Sequence, residues 1–127
     1  VFLSGFIFSK AQFTEQQILN ADEAFVLSAS ILEDRIFLSW DIKPGYYLYK
    51  KSILIKSGDE VLEYNYLTKY ESKIFDEFFG DSSILKGILK VEAELLNVNL
   101  SEPQGLSVTY QGCAEGKYCY PKIIKSL

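Results

Sequence analysis

Apolar side chains recur at every second position through most of this chain, and that period leaves little room for anything but half-buried β-strands. Ile36, Leu38, Trp40 and Ile42 fall on one face of such a segment, with Arg35, Ser39 and Asp41 on the other. Leu89, Val91, Ala93 and Leu95 alternate with Lys90, Glu92 and Glu94, and Leu106, Val108 and Tyr110 alternate with Ser107, Thr109 and Gln111. Further strands are predicted over residues 46–55, 61–67 and 118–124, the last restricted by Pro121 to an edge or a bulge. Lys43-Pro44-Gly45, Ser57-Gly58-Asp59 and Glu102-Pro103-Gln104-Gly105 read as turns. Thr14-Glu15-Gln16-Gln17 reads as a capping box before a short helical turn, and residues 74–83 as a loop rich in aromatics and acids. Seven or eight short strands punctuated by turns favour an all-β chain, an antiparallel β-sandwich rather than a barrel.

The 127 residues fit one domain. Nine Phe, nine Tyr and one Trp suit a β-rich protein, because aromatic side chains pack well on a pleated surface. A net charge of −4 argues against nucleic acid or an anionic membrane as the main partner. The chain has no histidine, so Ser-His-Asp and Cys-His catalysis and His-ligated metals are excluded, and two cysteines cannot build a Cys₄ zinc site. No metal and no cofactor is expected. No apolar run reaches the length of a membrane span. Residues 1–8 are almost wholly apolar and are followed by Ser9-Lys10-Ala11, which reads either as a signal-peptide tail or as a first strand. The expected division is an extension over residues 1–11 and one domain over residues 12–127.

Chemistry is then left to thiols, carboxylates, phenols and amines. Cys113 and Cys119 are separated by five residues that include Gly116, a spacing that permits a disulfide across a hairpin without requiring one. Closing so short a loop would stabilise the fold by only about 2 kcal/mol. An ordinary structural bridge in an exported binding module remains open on spacing alone.

The flanks of the cysteines add more. Thr109-Tyr110-Gln111-Gly112-Cys113-Ala114 followed by Tyr118-Cys119-Tyr120-Pro121 resembles the active-site segment of the N-terminal periplasmic domain of the DsbD thiol:disulfide interchange family. Trp40-Asp41-Ile42-Lys43-Pro44-Gly45-Tyr46-Tyr47-Leu48-Tyr49-Lys50-Lys51 and Phe75-Asp76-Glu77-Phe78-Phe79-Gly80 resemble two further stretches of that family, in the same order. The resemblance covers about residues 20–125, with Lys122 standing where many members carry a second proline.

The resemblance implies an immunoglobulin-like β-sandwich whose cysteine pair shuttles between dithiol and disulfide. It implies that Cys119 forms mixed disulfides and Cys113 resolves them, and that a loop of Asp76, Glu77, Phe78, Phe79 and Gly80 covers the sulfurs with Phe78 as its aromatic cap. It also implies partners: a thioredoxin-like C-terminal domain of the same parent protein as electron donor, and periplasmic disulfide isomerases and thioredoxin-like proteins of cytochrome c maturation as acceptors. The place of action would be the periplasm, as a soluble domain of an inner-membrane protein. Thiol–disulfide exchange needs only a thiolate and an accessible sulfur, which the composition allows. Lys117 would favour a thiolate, while Glu115, Asp76 and Glu77 would oppose it. Tyr47 and Tyr49 share one face of their strand, either beside the cysteines, where the phenols could hydrogen-bond the cap or a sulfur, or in a tyrosine-rich core.

Overall fold

The structure, a computed structural model, describes residues 17–77, 79–95 and 105–127. The predicted capping box at residues 14–17 and the turn at residues 102–105 fall mostly outside them, as do residues 1–11. A capping box does form a few residues later, where Asn20 accepts from the Glu23 amide and Glu23 from the Asn20 amide, starting the short helix α1 (Ala21–Ala24). Asn-x-x-Glu carries the same signal as Ser/Thr-x-x-Glu, because any short side-chain acceptor can satisfy the free amides of a first turn.

Phe25–Leu32 (β1) and Arg35–Ile42 (β2) make a hairpin, and Gly45, at φ 89°, turns the chain into Tyr46–Tyr49 (β3). After a 3-10 turn over Lys50–Ser52 come Leu54–Ser57 (β4), Glu60–Leu62 (β5) and Tyr64–Thr68 (β6). Glu71–Asp76 (β7) and Gly80–Leu85 (β8) form a second hairpin. Ile88–Glu94 (β9), Leu106–Tyr110 (β10), Gly112–Ala114 (β11), Tyr118–Cys119 (β12) and Ile123–Ser126 (β13) follow.

These strands form three antiparallel sheets, in the orders β1-β2-β9-β6, β13-β10-β4-β5 and β12-β11-β3-β8-β7. The first two enclose the main core. Ile36, Leu38 and Trp40 from β2 and Leu89 and Val91 from β9 meet Ile55 from β4 and Val108 and Tyr110 from β10, all fully buried. The Trp40 and Tyr110 rings pack edge to face at 5.4 Å. Burying each such side chain contributes about 1.5–3 kcal/mol, so this layer supplies most of the stability. The architecture is the immunoglobulin-like antiparallel β-sandwich that the sequence led us to expect.

The third sheet grows from the second by a shared corner. Residues 46–55 are not one strand, contrary to expectation. β3 pairs with β11 in the third sheet, while β4 pairs with β10 in the second. Both chain segments change sheet together, at Lys50–Ser52 on one side and Gln111 on the other. The Ser52 hydroxyl repairs the break: it donates to the Tyr49 carbonyl at 2.7 Å and accepts from the Gln111 amide at 2.9 Å. Residues 61–67 likewise divide at Glu63, β5 lying in the second sheet and β6 in the first. Residues 118–124 divide at Pro121, which lacks the amide a continuing ladder needs. Residues 74–83 are a hairpin and not a loop. Period two fails to announce it because β7 is an edge strand exposed on both faces except at Ile74 and Asp76.

Candidate functional site

The third sheet brings the sequence-predicted residues to one place. β12 and β11 pair so that Cys113 stands directly opposite Cys119, and the two form a disulfide with Cα atoms 4.0 Å apart. Cys113 is 1% exposed, whereas Cys119, on the edge strand, is half-buried. The next strand inward, β3, sets Tyr47 opposite Cys113. Tyr47, Tyr49, Ile84 and Cys113 form a small buried cluster of their own, with Ile74 and Cys119 against its edge. The two phenol rings meet edge to face at 5.5 Å. Tyr47 and Tyr49 are therefore both buried and beside the sulfurs, which joins the two readings their sequence left open.

The β7–β8 hairpin folds its tip toward this cluster. Asp76, paired with Gly80 across the turn, is only 6% exposed. One carboxylate oxygen accepts from the Phe79 amide at 3.1 Å and so shapes the tip; the other accepts a hydrogen bond from the Tyr49 hydroxyl. Gly80, at φ 73°, supplies a left-handed conformation that side chains disfavour. Phe79 lays its ring edge to face against Tyr49 at 5.1 Å, yet stays 61% exposed. Glu77 is exposed. Phe78 lies outside the described residues.

Tyr49 is the hub. Its hydroxyl oxygen lies 3.2 Å from Cys113 Sγ and 3.7 Å from Cys119 Sγ while it donates to Asp76. Burial, and next its bond to Asp76, push its pKa far above the usual phenol value. Burial also raises Tyr47, with the Asp76 charge adding to it against a lowering bond from Tyr49. Both phenols consequently stay protonated wherever a thiol titrates, so Tyr49 is a permanent donor between one carboxylate and two sulfurs.

Sequence reasoning put the two phenols within reach of the cap or a sulfur but did not single out Tyr49 and Asp76, since 27 positions separate the two and the hairpin tip joins them. It also missed Gly112, where an added Cβ would lie 2.3 Å from the Tyr47 carbonyl oxygen and 2.7 Å from Phe25 Cζ. Lys117 and Glu115 flank the cysteines as expected, but Glu115 pairs with Lys86 at 2.9 Å. The described residues contain no cluster of His, Cys, Asp and Glu fit to hold a metal.

Backbone bonds hold the hairpin without help from the disulfide. Glu115 N–H donates to Gly45, Lys117 N–H to Ala114 and Tyr120 N–H to Gly112, at 2.8–2.9 Å. Dithiothreitol is thus expected to open the bridge while the far-ultraviolet circular dichroism stays that of the folded protein. The loss of about 2 kcal/mol is small against the stability of a domain this size. Global loss of the β signal on reduction would contradict this.

The model of the family "Thiol:disulfide interchange protein DsbD, N-terminal" matches residues 15–126. The chain is 43% identical over 103 residues to the thiol:disulfide interchange protein DsbD of Pasteurella multocida, covering 81% of this chain and 17% of that protein. It is 40% identical over 106 residues to the DsbD of Cronobacter sakazakii, covering 83% of this chain and 18% of that one. It thus spans less than a fifth of these relatives. Among solved structures, the reduced Neisseria meningitidis DsbD N-terminal domain superimposes with a TM-score of 0.68 at 28% identity, covering 84% of this chain and 85% of the other. A complex of the DsbD and PilB N-terminal domains from the same organism gives 0.57 at 27% identity, covering 87% and 85%. No helix among the described residues is long and apolar enough to cross a membrane. With its two cysteines bridged on the edge of an immunoglobulin-like sandwich, the chain belongs to the family of DsbD N-terminal domains.

Proposed function

We propose that this domain passes electron pairs between proteins in the periplasm. It is reduced by a thioredoxin-like C-terminal domain of its parent protein, and in turn it reduces periplasmic disulfide isomerases and thioredoxin-like proteins of cytochrome c maturation. The observation that carries the reading is the asymmetry of the cysteine pair beside Tyr49. The half-buried Cys119 sits on an edge strand that a second protein can reach, with Cys113 buried behind it. The relative that forms a complex with a PilB N-terminal domain supports a protein as the partner.

In the dithiol form, the Cys119 thiolate attacks one sulfur of the partner's disulfide. A Cys119–partner bond forms, the partner's S–S bond breaks, and the partner's other sulfur leaves as a thiolate that takes up a proton. Cys113, deprotonated, then attacks Cys119 Sγ, restoring the Cys113–Cys119 bond and releasing the partner's second thiol. Two electrons and two protons have moved to the partner. Tyr49 has one hydrogen to offer, held toward Asp76 in the disulfide form. Turning that hydrogen to a sulfur would stabilise a thiolate, and the adjacent Asp76 carboxylate is placed to take up or return the proton. The capping role of Phe78 rests on the family resemblance; beside it, Phe79 leans on Tyr49 at 5.1 Å.

Equilibration of the pair against glutathione tests the reading. A transfer pair is expected to be half-reduced at a measurable ratio of glutathione to its disulfide. A purely structural bridge, with a potential below about −300 mV, would stay oxidised throughout, and that result would return the chain to the class of binding modules.

A further inference from the structure

Among the described residues each sheet ends in two strands, and every one of these edges but β1 carries a feature that blunts it. β5 and β12 are only three and two residues long, and Pro121 follows β12 closely. The register of β6 shifts between Tyr66 and Thr68. β7 carries Glu71 and Lys73, and β13 carries Lys125. β1 has none of these features. Its eight residues, Phe25–Leu32, run in unbroken register with β2 and include no charge and no proline. Such an edge is a template for a further strand, and natural sheets seldom leave one bare.

Backbone bonds fix which groups of β1 face outward. The Lys43 amide donates to the Ala24 carbonyl at 3.0 Å, one step beyond the Phe25–Ile42 pair. Bonding alternates along an antiparallel strand, so Val26, Ser28, Ser30 and Leu32 turn their polar backbone groups toward β2, and Leu27, Ala29 and Ile31 turn theirs away. The Phe25 amide agrees, since it leaves the ladder and donates to the Ala21 carbonyl. β1 pairs with β2 alone among the described residues, so the amides and carbonyls of Leu27, Ala29 and Ile31 stand open in a row. Apolar side chains flank them on both faces. Leu27 and Ile31 lie opposite Trp40 and Ile36 on the core side, and Val26 and Leu32 point the other way. Ile31 and Leu32 are nonetheless 49% and 64% exposed, so the second sheet does not reach over this end. Exposed acids stand at both ends of the run, Asp22 and Glu23 in α1 and Glu33 and Asp34 in the turn after β1. The cations beside them are engaged: Lys125 with Asp22, and Arg35 with Glu92 and Glu94.

We propose that the β1 edge receives an extended segment of another protein as an added strand, an uncharged apolar stretch with Lys or Arg at both ends. Main-chain bonds to Leu27, Ala29 and Ile31 hold the guest, its apolar side chains cover Ile31 and Leu32, and its basic ends meet the acids. A second copy of this chain fits the edge less well. Antiparallel pairing of two β1 strands about Ala29 brings Glu33 and Asp34 of one chain to Asp22 and Glu23 of the other, like charges against like. The edge belongs to the first sheet and the cysteines to the third, so the proposal does not rest on the exchange reading.

The test is amide hydrogen exchange, read by NMR on the disulfide form of the 127-residue chain, with the peptide acetyl-Lys-Lys-Val-Ser-Val-Thr-Val-Ser-Lys-Lys-amide as guest. A Kd of about 1 mM or tighter is expected. At about ten times the Kd, the amides of Leu27, Ala29 and Ile31 should exchange about tenfold more slowly, while those of Val26, Ser28 and Ser30, already bonded to β2, should change little. The same peptide with Glu in place of every Lys should bind about tenfold more weakly or worse. Glu33→Gln with Asp34→Asn, both exposed, should weaken the Lys-ended peptide about threefold. Ala29→Pro removes an amide that β2 does not use and is expected to abolish binding. Ile31→Lys, which keeps every backbone group and sets a charge on the edge, should do the same. Protection that does not follow the alternation, equal affinity for the two peptides, or binding that survives Ile31→Lys would overturn the proposal. So would self-association of the chain that Ile31→Lys abolishes, which would give the edge to a second copy. Because no thiol takes part, each result leaves the electron-transfer reading to its own test.

Discussion

Cys113→Ser is expected to trap a thioredoxin-like partner as a stable mixed disulfide, and Cys119→Ser to trap none. The difference follows from where the sheet puts each sulfur. Cys119 lies on β12, which among the described residues pairs with β11 alone and stands at the edge of its sheet. Attack requires the three sulfurs of an exchange to come into line, so the attacking thiolate has to be reached by a second protein. Cys113, at 1% exposure, is walled in by Tyr47 and Tyr49 and faces its partner cysteine, which suits the intramolecular second step. Without Cys113 the first step proceeds and nothing resolves it; without Cys119 the first step has no nucleophile. The measurement uses a partner lacking its own resolving cysteine, with adducts read on a non-reducing gel. Nearly complete adduct is expected for Cys113→Ser, and for Cys119→Ser a rate lower by about 100-fold or more, or roughly 3 kcal/mol of barrier. Equal trapping would remove the assignment of roles. Trapping by Cys119→Ser alone would reverse it.

Strands β2 and β9 were legible because one face of each is sealed in the core and the other is wet, which writes period two directly into the residues. The corner between the sheets was not. Tyr46 through Ile55 is interrupted by Lys50-Lys51-Ser52, a polar step too short to announce a change of sheet by itself, and what fixes the step is the Ser52 bridge to Gln111, a partner 59 positions away. The β7–β8 hairpin escaped for the opposite reason: an edge with both faces mostly wet needs no alternation, so Glu71, Ser72, Lys73 and Phe75 carry no pattern. At the site, the order of three motifs along the chain pointed to Cys113, Cys119, Tyr47, Tyr49 and the Asp76–Gly80 tip as neighbours. That the phenols could bond the cap or a sulfur was legible, but the particular bond from Tyr49 to Asp76 was not, because it depends on how the hairpin tip folds back over β3. Gly112 shows the sharpest limit. Its place before Cys113 was plain, but sequence spacing carries no record of how much room surrounds an α-carbon.

That room decides the last expected result, which concerns Gly112→Ala. Gly112 needs no special backbone conformation, as its φ is not in the left-handed region; what it needs is space. The added methyl would sit 2.3 Å from the Tyr47 carbonyl oxygen, 2.7 Å from Phe25 Cζ and 2.9 Å from Leu48 Cδ2. Phe25 and Leu48 are buried at 1% and 0% exposure, so neither side chain has a free direction in which to yield. The nearest atom is backbone, and it belongs to β3, the strand that pairs with β11 through Gly112 and Leu48. Accommodating the methyl therefore means parting the ladder beneath the cysteines or displacing Phe25 from the aromatic group it forms with Tyr46 and Tyr120. Overpacking a dense core commonly costs about 1–3 kcal/mol, and a clash with paired backbone belongs at or above the top of that range. A fall in Tm on the order of 10 °C is expected. Gly116→Ala is the contrast: no atom lies within 4 Å of its added Cβ, and only its φ of 72° opposes the change. It should cost roughly 1 kcal/mol, the ordinary penalty of a left-handed alanine. Thermal melts of both variants in the disulfide form give the comparison. If Gly112→Ala melts within about 2 °C of the parent chain, the close approach of β3 to β11 is not what holds Cys113 in place.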